Sequence, residues 1–262
     1  MNKFRLCGIQ IETGENPAEN RKKLYSLLKE ASYLKPDFIL FPEMFEVVVS
    51  PLEAPKFSHP IPSGFTDEVA EQARRYSVNI MAGSFFERDG DSVFNTAVVF
   101  DRKGRLCGKY RKMHLFDAFG YGESRGIRPG QSPLLLEIEG FRFGVAICYD
   151  VRFPEIFRYY AAGGAQIVFV PAAFFQPNHD HWQLNIRSRA LDNTIFVMGC
   201  NQTGRRFVGR SMIANPWGIT VASMGVEEGF FYADIDVDLI EETRKNLPFL
   251  ENRRFDVVIR EG

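Results

Sequence analysis

The chain is poor in cysteine and histidine, with four of each among 262 residues. Cys7, Cys107, Cys148 and Cys200 are scattered without a CxxC pair or metal-ligand spacing, so the expectation is reduced thiols in a cytoplasm rather than disulfides. The histidines form no HExxH set, and only His179 and His181, close in sequence, keep a metal open as an alternative to the expected absence of metal and cofactor. No apolar run approaches the roughly 20 residues of a membrane span. The opening Met1-Asn2-Lys3-Phe4-Arg5 runs into a strand pattern without the apolar core or small-residue cleavage site of a signal peptide. A net charge of −1 offers no basic excess, so neither nucleic acid nor a membrane surface is an expected partner. Arg21-Lys22-Lys23 and Arg253-Arg254 read as solvated faces.

What the chain does have is apolar mass, 45% hydrophobic residues and 25 phenylalanines, enough for a sizeable core. Strand patterns at 4–11, 37–41, 78–86, 93–100 and 105–110 alternate with helix patterns at 17–33 and 66–76. Asn16-Pro17-Ala18-Glu19 carries the start signal of the first helix, an N-cap followed by proline at the first helical position. The second half repeats the grammar: strands at 134–138, 141–147, 166–170, 195–200, 208–214 and 230–235, with helices at 154–162 and 180–192. Strand ends Phe41-Pro42 and Val170-Pro171 look alike, which hints at internal pseudo-symmetry. This is an α/β pattern, and without a Gly/Ser- or Pro-rich linker the expected count is one domain over residues 1–262.

Three strand ends carry chemistry. The apolar run 141–147 closes on Cys148 and opens into Tyr149-Asp150-Val151-Arg152-Phe153-Pro154-Glu155. A lone cysteine there is more often a small core hydrophobe than a nucleophile. Two other segments reverse that balance: Phe38-Ile39-Leu40-Phe41-Pro42 ends on Glu43, and the strand at 105–110 delivers Lys112 into Met113-His114-Leu115-Phe116-Asp117. Each alone reads as a surface charge. A carboxylate, an ammonium and a thiol at three strand ends together make a base, an oxyanion stabiliser and a nucleophile.

With those motifs in that order, the chain resembles the nitrilase superfamily of carbon–nitrogen hydrolases. The resemblance continues through Val170-Pro171-Ala172-Ala173-Phe174, His181-Trp182, Arg187 to Asn193 and Asn215-Pro216-Trp217-Gly218, and so covers nearly the whole chain. It implies a four-layer αββα sandwich with the catalytic groups where two sheets meet, homodimers or larger homo-oligomers, and Glu43, Lys112, Cys148 and Glu123 as catalytic residues. It places Tyr149, Arg152, Ala172 and Ala173 around a small-molecule amide substrate. The run Cys148-Tyr149-Asp150-Val151-Arg152-Phe153 is similar to omega-amidases and deaminated-glutathione amidases rather than true nitrilases.

On this reading Glu43 takes the thiol proton and later protonates departing ammonia, while Lys112 and the Tyr149 N–H meet the oxyanion. Lys112 is also expected to favour the thiolate. Glu123 either orients Lys112, positions the hydrolytic water or braces a loop. Arg152 either meets a substrate carboxylate or pairs with Asp150 or Glu155. Two stretches, 118–122 and 46–53, depart from the expected amidase pattern, and both are expected to line the acyl pocket. An N-carbamoyl hydrolase, a nitrilase on the same fold and a non-catalytic α/β binding module remain the alternatives.

Overall fold

The computed structural model describes residues 2–256. In chain order the first half runs β1 (Lys3–Gln10), α1 (Pro17–Ser32), β2 (Phe38–Leu40), α2 (Gly64–Tyr76), β3 (Asn79–Asp89), β4 (Ser92–Phe100) and β5 (Leu106–Arg111). A small hairpin follows, β6 (Asp117–Ala118) and β7 (Tyr121–Gly122). The second half runs β8 (Leu135–Ile138), β9 (Phe141–Val145), α3 (Pro154–Ala162), β10 (Ile167–Ala172), α4 (His179–Asn193) and β11 (Phe196–Asn201). It ends with β12 (Met212–Ala214), β13 (Thr220–Ser223), β14 (Gly229–Asp236) and α5 (Asp238–Asn246).

Two six-stranded sheets form, ordered β14-β1-β2-β3-β4-β5 and β8-β9-β10-β11-β12-β13. Each has a parallel trio, β1-β2-β3 or β9-β10-β11, flanked by antiparallel strands. Written side by side, the two orders match strand for strand, and α1 and α2 occupy the crossovers that α3 and α4 occupy in the other sheet. The pseudo-symmetry hinted at by the two proline-marked strand ends is therefore a repeat of topology, with β2 and β10 as equivalents.

Period-two alternation decides what each strand faces. Leu6, Phe38, Leu40 and Met81 of the first sheet join Phe143, Val145 and Phe169 of the second in one buried cluster, with Phe38 edge-on to Phe143 at 5.5 Å. Their neighbours Cys7, Ile39 and Ile80 turn the other way, onto Leu24 and Leu28 of α1 and Val69 and Ala73 of α2. Helix α4 buries Trp182, Ile186, Ala190 and Asn193, one stripe at helical spacing. The layers are α, β, β, α, as the resemblance implies.

Caps explain the helix starts. Asn16 accepts from the amides of Ala18 and Glu19, with Pro17 just inside, and Ser63 and Thr66 form a reciprocal capping box. The strand expected at 208–214 is cut to Met212–Ala214 because Gly209 and Arg210 both take left-handed backbone, φ 59° and 54°, which breaks an extended ladder. Helix α5 and strand β13 carry no sequence expectation. The first buries only Ile240 and Thr243, and the second is a short, largely exposed edge.

Candidate active site

Glu43, Lys112 and Cys148 each stand just beyond the carboxyl end of a strand, β2, β5 and β9, and line one narrow cavity together with Glu123. The strand ends are fixed by close backbone approach. A Cβ on Gly83 would fall 2.1 Å from the carbonyls of Phe41 and Pro42, and one on Gly130 would fall 2.2 Å from the Arg111 carbonyl. Gly130 also donates its N–H to the Lys112 carbonyl at 2.8 Å.

Cys148 opens a single-turn helix, Cys148–Arg152, and sits in left-handed backbone at φ 48°. Such a conformation in a non-glycine residue is costly and is held here from two sides. Asp150 accepts the Ile147 N–H at 2.8 Å, and Arg189 of α4 donates to the Val151 carbonyl at 2.9 Å. Among the described residues the Tyr149 N–H has no backbone hydrogen-bond acceptor.

The charged groups interlock. Lys112 Nζ donates to Glu43 Oε1 at 2.9 Å and to Glu123 Oε2 at 2.8 Å, with all three side chains buried. Asn95 of β4 adds a second bridge, its Nδ2 lying 2.8 Å from Glu43 Oε1 and 3.0 Å from Glu123 Oε1. Glu43 Oε2 accepts the Ala173 N–H at 2.7 Å, and Glu123 Oε2 accepts the Phe116 N–H at 2.8 Å. Burial alone would lower the Lys112 pKa, but Glu123 and Glu43 outweigh it and hold the ammonium well above its ordinary range.

Lys112 favours the thiolate, as expected, but it is outweighed. Burial first, then the Glu43 charge, push the Cys148 pKa up, and Lys112 only partly opposes them. The resting sulfur is therefore a thiol beside a carboxylate, not a free thiolate.

The substrate-side expectations divide. Tyr149, Arg152 and Ala173 line the cavity; Ala172 does not. Ala172 lies fully buried in β10, and its carbonyl accepts the Gln202 N–H at 2.8 Å. Arg152 forms no ion pair with Asp150 or Glu155. Asp150 is buried and taken up by Tyr110, His114 and Ile147, while the Arg152 guanidinium lies over the Phe174 ring at 5.0 Å and 3.4 Å from His181 Nδ1.

Of the two stretches expected to line the pocket, 118–122 contributes Tyr121, but 46–53 does not reach the cavity. Glu46 turns away onto Arg21 at 2.6 Å and His59 at 2.9 Å, and Val47 and Val48 pack behind the site. The rest of the wall is aromatic, Phe116, Phe174 and Phe175, with Met44 and Asn178.

Sequence reasoning missed Asn95 and Asn178, and named Arg189 only within the resembling run Arg187 to Asn193, without a role. The one available signal was Asn95, a polar residue facing inward within a strand of apolar neighbours. Among the described residues, no three His, Cys, Asp or Glu side chains stand together as a metal cluster, and no helix is long and apolar enough to cross a membrane.

A strand-end thiol, a carboxylate and an ammonium between two sheets define a class. The sequence signature of carbon–nitrogen hydrolases matches residues 4–245, and the chain belongs to that family, within the nitrilase superfamily. Among curated relatives, omega-amidase NIT2 of Bos taurus is 34% identical over 268 residues, covering 98% of this chain and 97% of its own. Omega-amidase NIT2 of Homo sapiens is 33% identical with the same coverage. Among solved structures, Saccharomyces cerevisiae Nit3, a member of branch 10 of the nitrilase superfamily, superimposes with a TM-score of 0.90 at 29% identity, over 97% of both chains. A mutant amidase from Nesterenkonia sp. AN1 superimposes with a TM-score of 0.83 at 25% identity, over 96% of this chain and 94% of its own. That structure carries the acetamide moiety of fluoroacetamide added covalently at its active-site cysteine.

Proposed function

We propose that this chain hydrolyses a small linear amide bearing a free carboxylate to the acid and ammonia, through a thioester on Cys148. The observation that carries the reading is the joint lining of one cavity by Glu43, Lys112, Glu123 and Cys148. The omega-amidase relatives and the cysteine adduct of the Nesterenkonia amidase support it.

In the proposed sequence Glu43 takes the thiol proton as sulfur bonds to the amide carbon, and the carbonyl electron pair moves onto oxygen. Lys112 and the Tyr149 N–H meet that oxyanion. The C–N bond then breaks while Glu43 returns the proton to nitrogen, so ammonia leaves and a thioester remains. Water gives a proton to Glu43 and attacks the thioester. The sulfur departs and recovers that proton, releasing the carboxylic acid. Glu123 holds Lys112 in register. Arg152, with no acidic partner among the described residues, is the fitting contact for the substrate carboxylate.

This reading takes residues 1–262 as one catalytic domain acting without a cofactor in the cytoplasm, as a homodimer or larger assembly. Exposed Leu184 and Leu191 on α4, next to exposed Trp217 and Ile219, supply an apolar face for that assembly. Ammonia release from a panel of amides, N-carbamoyl compounds and nitriles tests the reaction; turnover confined to the last two classes overturns it.

A further inference from the structure

Asn95 and Lys112 hold the same two glutamates, but not in the same way. On Glu123 they take different oxygens, Lys112 on Oε2 and Asn95 on Oε1. On Glu43 both take Oε1. Glu43 Oε2 is left with one neutral donor, the Ala173 N–H. Oxygens of one carboxylate that differ this much in hydrogen bonding differ in proton affinity, and the less solvated one is the better acceptor.

The amide orientation is fixed by the same contacts. Turned over, Asn95 would set its oxygen lone pairs against both carboxylates; as placed, Oδ1 is buried without a partner. A buried orphan acceptor is costly, so the two Nδ2 contacts must outweigh it. The backbone joins in, since the Asn95 carbonyl accepts the Lys112 N–H at 2.9 Å. One residue of β4 therefore touches all three charged partners.

We propose that Asn95 is a positioning residue that occupies Glu43 Oε1 together with Lys112 and so commits Oε2, on the Ala173 side, to proton exchange with Cys148. The proposal rests on Glu43 being the base of the reading above. The charged groups on its cavity side are Glu43, Glu123 and Lys112, with Cys148 and the Tyr121 hydroxyl nearby. Behind β4, Thr96 donates to Glu87, which Lys109 and Arg111 neutralise.

The test measures ammonia release from a carboxylate-bearing amide at pH 6 to 9 for wild type, Asn95→Ala and Asn95→Asp, with thermal unfolding as a check on folding. Asn95→Ala is expected to lower kcat about 10- to 100-fold with KM changed less than about threefold, because the lost contact serves the base and not the substrate. Asn95→Asp keeps the shape but adds a third carboxylate. Protonated, it regains a donor, so its activity relative to wild type should rise about tenfold or more from pH 8 to pH 6, while the alanine variant shows no such recovery. If Asn95→Ala does not fold, the aspartate profile alone decides. A kcat within threefold of wild type, an effect confined to KM, or an aspartate variant active as a constant fraction at every pH overturns the proposal. A wild type that hydrolyses no amide in the panel overturns the underlying reading and this assignment with it; normal wild-type turnover with indifferent variants overturns only the assignment.

Discussion

Tyr110 donates its hydroxyl to Asp150 Oδ2 at 2.7 Å, both residues fully buried, and so ties the strand that delivers Lys112 to the turn that presents Cys148. Asp150 also accepts from the Ile147 N–H, the His114 N–H and His114 Nδ1. One carboxylate thus organises two of the three motifs. Removing a single donor leaves it still satisfied, whereas removing the acceptor strands several buried donors. We predict that Tyr110→Phe costs about 1 kcal/mol and Asp150→Ala about 3 kcal/mol or more, measured by urea denaturation. Equal costs would show that the carboxylate is not the hub.

The resting thiol allows the roles of Glu43 and Cys148 to be separated. Cys148→Ala removes the proposed nucleophile and should lower turnover by several orders of magnitude while the protein stays folded. Glu43→Gln should also lose amide turnover. Its effect on alkylation has the opposite sign: the Glu43 charge helps push the thiol pKa up, so removing it brings the thiol down and favours thiolate. Labelling of Cys148 by iodoacetamide near pH 7.5 should therefore be at least as fast in Glu43→Gln as in wild type. Alkylation falling in step with turnover would mean that Glu43 activates the sulfur before substrate arrives.

Lys112 is expected to serve stability as well as the proposed chemistry. Its pKa is raised against the opposing effect of burial, because Glu123 and Glu43 flank it. A raised cation contributes stability that is fully present below its ordinary value of 10.5 and is lost only as pH climbs through the folded value. Lys112→Met should therefore lose activity and, at neutral pH, also destabilise by about 3–5 kcal/mol, since two buried carboxylates are left without a cation. Glu43→Gln should destabilise less, because the ammonium keeps Glu123. Thermal melts of both variants compare the two. A Lys112→Met variant as stable as wild type would contradict the interlocked arrangement.

The strand ends at Glu43 and Cys148 were readable because an apolar run that stops at a polar side chain or a thiol marks where a buried strand emerges; Lys112 follows β5, a mixed strand carrying Lys109 and Arg111, and was legible through the order of the three motifs. The αββα layering followed from the motif resemblance, and alternating strand and helix patterns gave only α/β. What stayed hidden depends on contacts between distant segments. Asn95 is one inward polar residue in β4, and nothing local announces the two glutamates, 52 positions before and 28 positions after it. Ala172 and Ala173 are chemically alike, yet Ala172 closes β10 in the packed interior while Ala173, one residue beyond the strand, lines the cavity. Glu46 stands three residues beyond Glu43, but Arg21 and His59 draw it to the opposite side.

On the proposed reading, substrate choice turns on Arg152. Its guanidinium lies half-buried over the Phe174 ring, and its alternative partners, Asp150 and Glu155, do not pair with it. An aromatic-walled cavity with one unpaired guanidinium suits an acyl chain that ends in a carboxylate. Such a charge-assisted contact contributes about 1.5–3 kcal/mol, which is roughly ten- to over a hundredfold in kcat/KM. We predict that succinamate or alpha-ketoglutaramate outperforms a neutral amide of equal length by that factor, and the matching nitrile by more. Arg152→Lys keeps the charge but loses the planar fork, so the preference should shrink without vanishing, and Arg152→Met should abolish it. Because the proposed contact is to the distal carboxylate rather than the reacting carbon, the loss should fall mainly on KM for the acid substrate and leave the neutral amide nearly unchanged. Equal rates for acid and neutral amides in wild type, or an unaltered ratio in both variants, would return Arg152 to a structural role over Phe174.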